Sequence, residues 1–190
     1  MLVVLRHGAS YALIGLLLLA TFATADLHAQ RTTSDTQTFL PLVTNTSLEE
    51  QVVALVNQQR RLNGCSADLK LVSQLTSVAY GHSQDMALNN IFSHTGSDKS
   101  TLQQRVDATH YQYSQLAENI AVGFATPQAV VDAWMHSAGH RANILNCTLH
   151  EIGVGYYYQP DDQANVRNDA GLLSGPYYYY WTQDFGTPMQ

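Results

Sequence analysis

Two imidazoles and one carboxylate stand out in this chain, each inside a short polar motif. His94 lies in Phe92-Ser93-His94-Thr95-Gly96, Glu118 in Ala117-Glu118-Asn119-Ile120, and His140 in Gly139-His140-Arg141-Ala142-Asn143. Imidazole titrates near neutral pH and is the commonest metal ligand among side chains. Two neutral imidazoles with a carboxylate suit zinc or another divalent cation, and three protein ligands leave a position for water. The same groups also suit metal-assisted hydrolysis, with a metal-bound water as nucleophile and Glu118 as base. The three residues are far apart in sequence, so no local His-Glu-x-x-His motif applies. They form a site only if the fold brings them together.

A serine nucleophile is a weaker reading. Ser93 adjoins His94 and Ser137 precedes His140 by one helical turn. Neighbouring positions do not by themselves place a hydroxyl within hydrogen-bond reach of an imidazole, and no Gly-x-Ser-x-Gly elbow is present. No catalytic residue is therefore assigned, and no residue is assigned to an organic cofactor. His82 falls on the apolar face of a helical pattern and reads as a hydrogen-bonded core histidine.

The elements that must position these residues can be read from pattern. Ser47-Leu48-Glu49-Glu50 is a capping-box signature, followed by apolar Val52, Val53, Leu55 and Val56 and a stop at Asn63-Gly64. From Leu69 to Asn90, Leu71, Val72, Leu75, Val78, Ala79, His82 and Met86 recur at spacings of three and four, which predicts a long helix ending just before His94. Ser100 to His110 reads as a short helix. Thr126-Pro127 starts another, with Ser137-Ala138-Gly139 breaking it and one further turn from His140 to Leu145. Glu151 to Tyr158 alternates, with Ile152, Val154 and Tyr156 on one face, and Tyr177 to Phe185 is aromatic and β-favouring. These two runs predict an antiparallel pair with a long polar connection. Half of the tyrosines from 177 to 180 should be exposed, and Trp134 and Trp181 read as core anchors. Helices first and strands later predict an α+β domain with helices packed on a sheet.

The ends and composition restrict the function. Arg6 and His7 precede a Leu-rich run from Tyr11 to Ala25 that closes on Ala23-Thr24-Ala25, the pattern of a secretory signal peptide over residues 1–25. The run is short for a membrane span, so membrane attachment is expected only through an uncleaved signal. Residues 26–47 read as a flexible lead-in, and 48–190 as one domain. The formal net charge is -6, and the 9 Lys and Arg form no run, which excludes nucleic acid as an expected partner. Cys65 and Cys147, an even count in an exported chain, read as a disulfide in preference to two independent buried thiols.

Several ordered motifs together resemble the CAP superfamily (cysteine-rich secretory proteins, antigen 5 and pathogenesis-related proteins, also called the SCP domain), in its small bacterial secreted form. They are Phe92-Ser93-His94-Thr95-Gly96-Ser97-Asp98, Ala117-Glu118-Asn119-Ile120-Ala121, Ala133-Trp134-Met135, Gly139-His140-Arg141-Ala142-Asn143-Ile144-Leu145 running into Glu151-Ile152-Gly153-Val154-Gly155, and Tyr180-Trp181-Thr182-Gln183-Asp184-Phe185-Gly186. The helix segment Ala79 to Ala87 fits more loosely. The resemblance implies a three-layer α-β-α sandwich with a central antiparallel sheet, and a cleft lined by two His and two acids. His94, Glu118 and His140 match three of the four. The second family acid falls on Ser137, with Asp132 and His136 nearby on the same helix.

Two functions follow as expectations. The first is a secreted, extracellular or cell-envelope binding module, a monomer whose His94, Glu118, His140 cleft takes an optional divalent metal such as zinc, or a small-molecule, lipid or protein ligand. The second is a metal-assisted peptidase or esterase using the same cleft.

Overall fold

The computed structural model describes residues 46–189. The expected signal peptide, and all but the last two residues of the expected lead-in, lie outside the described residues. Twelve elements follow in order: α1 (Leu48–Leu62), β1 (Lys70–Leu71), α2 (Ser73–Leu88), β2 (Ile91–Phe92), α3 (Leu102–Asp107), β3 (Tyr113–Val122), α4 (Pro127–His136), α5 (Ala138–Ile144), β4 (Glu151–Tyr158), β5 (Val166–Asn168), β6 (Leu173–Ser174) and β7 (Tyr179–Pro188).

Local sequence sets the helix starts. Ser47 and Glu50 exchange both hydrogen bonds of a capping box at α1, and Thr101 with Gln104 does the same at α3. At α4 the Thr126 side chain accepts from the Ala129 N–H while Pro127 fills the first helical position. Each arrangement satisfies donors that a helix start would otherwise leave unpaired.

The main sheet has the order β1-β4-β7-β3. β4 and β7 pair antiparallel, Glu151 opposite Gly186 and Tyr158 opposite Tyr179, and β3 pairs antiparallel with the other side of β7. β1 is the exception to the expected antiparallel sheet, since it pairs parallel with the start of β4. That pairing also shortens the helix expected from Leu69: Lys70 and Leu71 join the sheet, and α2 begins at Ser73. Residues 91–92, 166–168 and 173–174 make a second, small sheet.

Helices cover both faces. On one, α1, α4 and α5 pack Val52, Val56, Val130, Trp134 and Ile144 against Ile152, Val154, Trp181 and Phe185. On the other, α2 lies so close that a Cβ at Gly153 or Gly155 would collide with the backbone of Leu75–Thr76 or Ala79–Tyr80. Ser83 Oγ ties α2 to the sheet at Gly155 O (3.1 Å) and Thr182 Oγ1 (2.9 Å). β7 begins two residues later than the aromatic run suggests. The backbone N–H groups of Tyr177 and Tyr178 donate to the Asp162 carboxylate, as does the Tyr180 hydroxyl, instead of joining a ladder. Of the four tyrosines, Tyr178 is exposed, Tyr180 is buried, and Tyr177 and Tyr179 are half-buried.

Cys65 and Cys147 form the expected disulfide across 82 residues. It closes the loop after α1 onto the segment after α5. Beside it, the buried Arg60 guanidinium donates to the carbonyls of Ile144, Asn146 and Leu149. Opening a loop of this length costs about 4 kcal/mol in the chain-entropy treatment. Gly155→Ala is expected to destabilise the protein by about 3 kcal/mol or more, because backbone rather than a flexible side chain must yield. Chemical denaturation of the variant beside the wild type measures this.

Candidate functional site

The site grows around Glu118 on β3, an edge strand of the main sheet. Its side chain is almost fully buried. An ionised carboxylate in that position needs charged or hydrogen-bonding partners, and three neighbouring segments supply them. His94 Nδ1 lies 2.7 Å from Glu118 Oε1, Arg105 Nη2 donates to Oε2 at 2.5 Å, and His82 Nε2 stands 3.9 Å from Oε2. Burial pushes the Glu118 carboxyl up, but the His94 hydrogen bond and the Arg105 charge are among the interactions that outweigh it and hold the group below its ordinary value.

The loop carrying His94 is fixed from two sides. Asp85 of α2 accepts from the N–H and hydroxyl of Ser97. Arg105 of α3 donates through Nη1 to the carbonyls of His94 and Ser100. One guanidinium thus holds both the His94 loop and the carboxylate that orients the His94 ring.

His140 arrives from the other face. β3 alternates, so Glu118 faces α2 while Asn119 faces α5. Asn119 Nδ2 donates to His140 O (3.2 Å) and to Gln183 Oε1 (3.1 Å). Asn143, one turn along α5, donates to Asn119 Oδ1 and to the Glu118 carbonyl. The edge position of β3 lets the two layers meet around it. Burial is the largest cause that depresses the His140 pKa, to about 4.

The sequence-predicted residues therefore have different settings. His94 and Glu118 touch directly, and His140 is tied to the same two β3 residues through Asn119 and Asn143. Both Glu118 oxygens are already engaged, which makes it the group that orients His94 instead of an open donor. Among the described residues, no three or more His, Cys, Asp or Glu side chains form a cluster able to hold a metal ion. His140 is buried, and neither ring nitrogen has a hydrogen-bond partner. Ser137, at the position of the second family acid, is buried with its hydroxyl likewise unpartnered. Asp132 and His136 are exposed on α4 and bonded within that helix, so neither substitutes for the acid. Ser93 Oγ accepts from the Thr95 N–H and serves the turn.

Sequence reasoning missed Arg105 and Asp184. Arg105 is a single cation on a short helix with no motif of its own. Asp184 lies opposite Glu118 on β7 and is fully buried. Burial first, and then the Glu118 charge, raise its pKa well above the ordinary value, so it stays protonated. His82, read as a core histidine, is buried and hydrogen-bonds Ser93 O through Nε2 at 2.9 Å, but it also lies beneath Glu118.

A raised folded pKa has a definite sign. Above the ordinary carboxylate range the unfolded chain has lost a proton that folded Asp184 keeps, so stability falls as pH rises through that window. Asp184→Asn cannot ionise. Thermal melts from pH 4 to pH 8 are therefore expected to show the variant gaining on the wild type as pH rises. The histidine contributions cancel in that difference. A difference independent of pH would refute the assignment.

Comparison with known proteins agrees with this architecture. The profile of the cysteine-rich secretory protein family, CAP, matches residues 53–185. YkwD of Bacillus subtilis (strain 168) is 40% identical over 108 residues, covering 57% of this chain and 42% of that protein. The membrane protein YlbC of the same organism is 37% identical over 118 residues, covering 60% of this chain and 34% of that protein. The chain thus spans well under half the length of either relative. Among solved structures, an extracellular protein containing an SCP domain from Bacillus anthracis str. Ames aligns at TM-score 0.59 and 29% identity, over 73% of this chain and 40% of that one. An outer surface protein from Borrelia burgdorferi aligns at TM-score 0.57 over 73% of this chain and 90% of that one, with 18% identity, a likeness of fold. By its sequence profile and its fold, the chain belongs to the CAP family.

Proposed function

We propose that this CAP domain is an exported, non-enzymatic binding module that takes a divalent cation, or a small polar ligand in its place, between His94 and His140. The observation that carries the reading is the state of His140: a buried ring with both nitrogens unpartnered, on the helix whose Asn143 bonds the Glu118 carbonyl. A buried polar group in that condition calls for a ligand or water. Its depressed pKa keeps the ring neutral at pH 7, the form a metal requires. His94 makes its protein contact through Nδ1, so Nε2 is the nitrogen left for a ligand, and the Glu118 carboxylate on Nδ1 strengthens that donor.

The donor set fits a weakly held, exchangeable ion. Two imidazoles are fewer protein ligands than structural or catalytic zinc sites provide, and Glu118 is occupied by His94 and Arg105. A bound divalent ion would supply Lewis acidity there. The chain's own part is to fix the His94 ring and to keep His140 neutral. Neither neighbouring serine hydroxyl hydrogen-bonds an imidazole, which supports binding over nucleophilic catalysis.

Export is supported by the amino-terminal pattern, the disulfide, and the extracellular and membrane descriptions of relatives. Among the described residues no helix is long and apolar enough to cross a membrane.

Calorimetric titration with zinc chloride tests the proposal. Binding is expected in the wild type and at least about tenfold weaker in both His94→Ala and His140→Ala, a difference of about 1.4 kcal/mol or more. Equal affinity in all three proteins would remove the metal reading. Turnover on an ester or peptide panel that disappears in Glu118→Gln would replace the binding module with a hydrolase.

A further inference from the structure

The β5–β6 hairpin carries two consecutive leucines into solvent: Leu172 is 64% exposed and Leu173 59%. We propose that this hairpin tip seats on the surface of an anionic lipid bilayer, with Leu172 and Leu173 entering the interface and Lys99 and Arg167 meeting the lipid phosphates.

The tip is braced. The Asn168 side-chain oxygen accepts from the N–H groups of Ala170 and Leu172, and the Asn168 N–H donates to Leu172 O. β5 is fixed in turn to β2, with Ile91 beside Arg167 and Phe92 beside Asn168. Every residue from Asp169 to Leu173 is nevertheless exposed. Single surface leucines are ordinary. Two in succession on a braced turn, outside every hydrophobic cluster of the described residues, keep apolar area in water that nothing in the fold removes.

Charge selects the occupant. Arg167 pairs with Leu173 across the hairpin, and directly paired residues of antiparallel strands put their side chains on one face. Lys99, from the loop after His94, lines with Arg167 a pocket of about 400 Å³ whose wall also includes Ser93, Thr95 and Asp169. Neither cation has an ion pair among the described residues, whereas Arg61 and Arg105 have one each, and Arg60 and Arg141 bond carbonyls. The wall holds two cations and one acid, a net +1, in a chain whose formal charge is -6. Lys99 also sits at φ 74, a backbone conformation that glycine adopts without strain, so a lysine is kept there against a backbone cost. The two cations come from separate segments, and no run in the sequence announces them.

A lipid surface meets both halves of this patch. The phosphate of an anionic headgroup fits a polar pocket bounded by Lys99, Arg167, Ser93 and Thr95. The neighbouring leucines reach the acyl boundary, where buried apolar area and headgroup attraction add. An acidic protein would meet the cations, but it would need a groove of its own to receive the tip. The contact is separate from His94 and His140 and does not depend on the metal reading. It also differs from an uncleaved signal, the membrane attachment expected from the sequence.

Flotation of the exported protein with vesicles tests this. Binding is expected to vesicles of phosphatidylglycerol and phosphatidylcholine in equal parts, and to be at least about tenfold weaker with phosphatidylcholine alone or in high salt. Leu172→Ser with Leu173→Ser, and separately Lys99→Gln with Arg167→Gln, should each weaken binding to the anionic vesicles by at least about tenfold, since one cation beside such a surface contributes about fivefold. All four positions are exposed, and thermal melts beside the wild type check that the variants fold. Leu172→Trp keeps an apolar tip, and its emission should shift to the blue on adding anionic vesicles and be quenched by lipids brominated in the acyl chain. The proposal is overturned by no binding to the anionic vesicles, by equal binding to both kinds of vesicle, by wild-type binding in either double variant, or by unchanged emission of the Leu172→Trp variant. Self-association that is lost in the leucine variant, without vesicle binding, overturns it too and assigns the tip to a second copy of the chain.

Discussion

A buried carboxylate on an edge strand organises this protein. Glu118 is ionised and almost wholly removed from water, a state that is tolerated only with partners in place. Those partners come from α2, α3 and the loop that carries His94. Removing one side of such a pair typically costs about 3–5 kcal/mol, because the other charge stays buried. One carboxylate therefore joins α3 and the His94 loop to α2, which the sheet already holds. The imidazole that the carboxylate orients is the half-exposed member of the group, at 43%.

The second histidine is held by a different principle. His140 has its backbone, not its ring, bound to the sheet, through Asn119 and Asn143. The ring is placed without being engaged. Where the family pattern has an acid, this chain has Ser137, whose hydroxyl is unpartnered too. Without a nearby carboxylate, nothing raises the His140 pKa against burial, and the ring stays neutral at physiological pH. One imidazole is thus made a better donor by its carboxylate, and the other is kept available by lacking one.

Much of this is legible in the sequence because it is written in local rules. Capping boxes, the Thr126-Pro127 start and the alternation of Glu151–Tyr158 each need only a few neighbouring residues, and an even cysteine count in an exported chain is enough to pair Cys65 with Cys147. β3 is not legible. Its centre carries Glu118 and Asn119, polar residues that break a hydrophobic alternation because each serves a site on its own face of the strand. The start of α2 is misread for a similar reason: Lys70 and Leu71 keep helical spacing but gain more by pairing with β4. Arg105 and Asp184 are invisible because their roles exist only across elements. The three motif residues are legible as a group only through the family resemblance, since no spacing links 94, 118 and 140.

The buried polar groups divide into those the fold satisfies and those it leaves open. Arg60 makes three hydrogen bonds to carbonyls while its Nε stays unpartnered, Asp162 accepts four, and Ser83 reaches both a carbonyl and a hydroxyl. These residues act as joints between elements. The orphaned atoms include His82 Nδ1, Arg105 Nε, Ser137 Oγ and both His140 nitrogens, together with Arg60 Nε and Gln183 Nε2, and of these residues His82 and Arg105 pair with Glu118. Unmet hydrogen-bonding capacity in a desolvated setting is a cost to the folded state, and it is the same capacity that an incoming ligand or ion can use. The two faces of β3 engage the residues that carry several of these atoms: Glu118 meets His82 and Arg105, and Asn119 holds the His140 backbone.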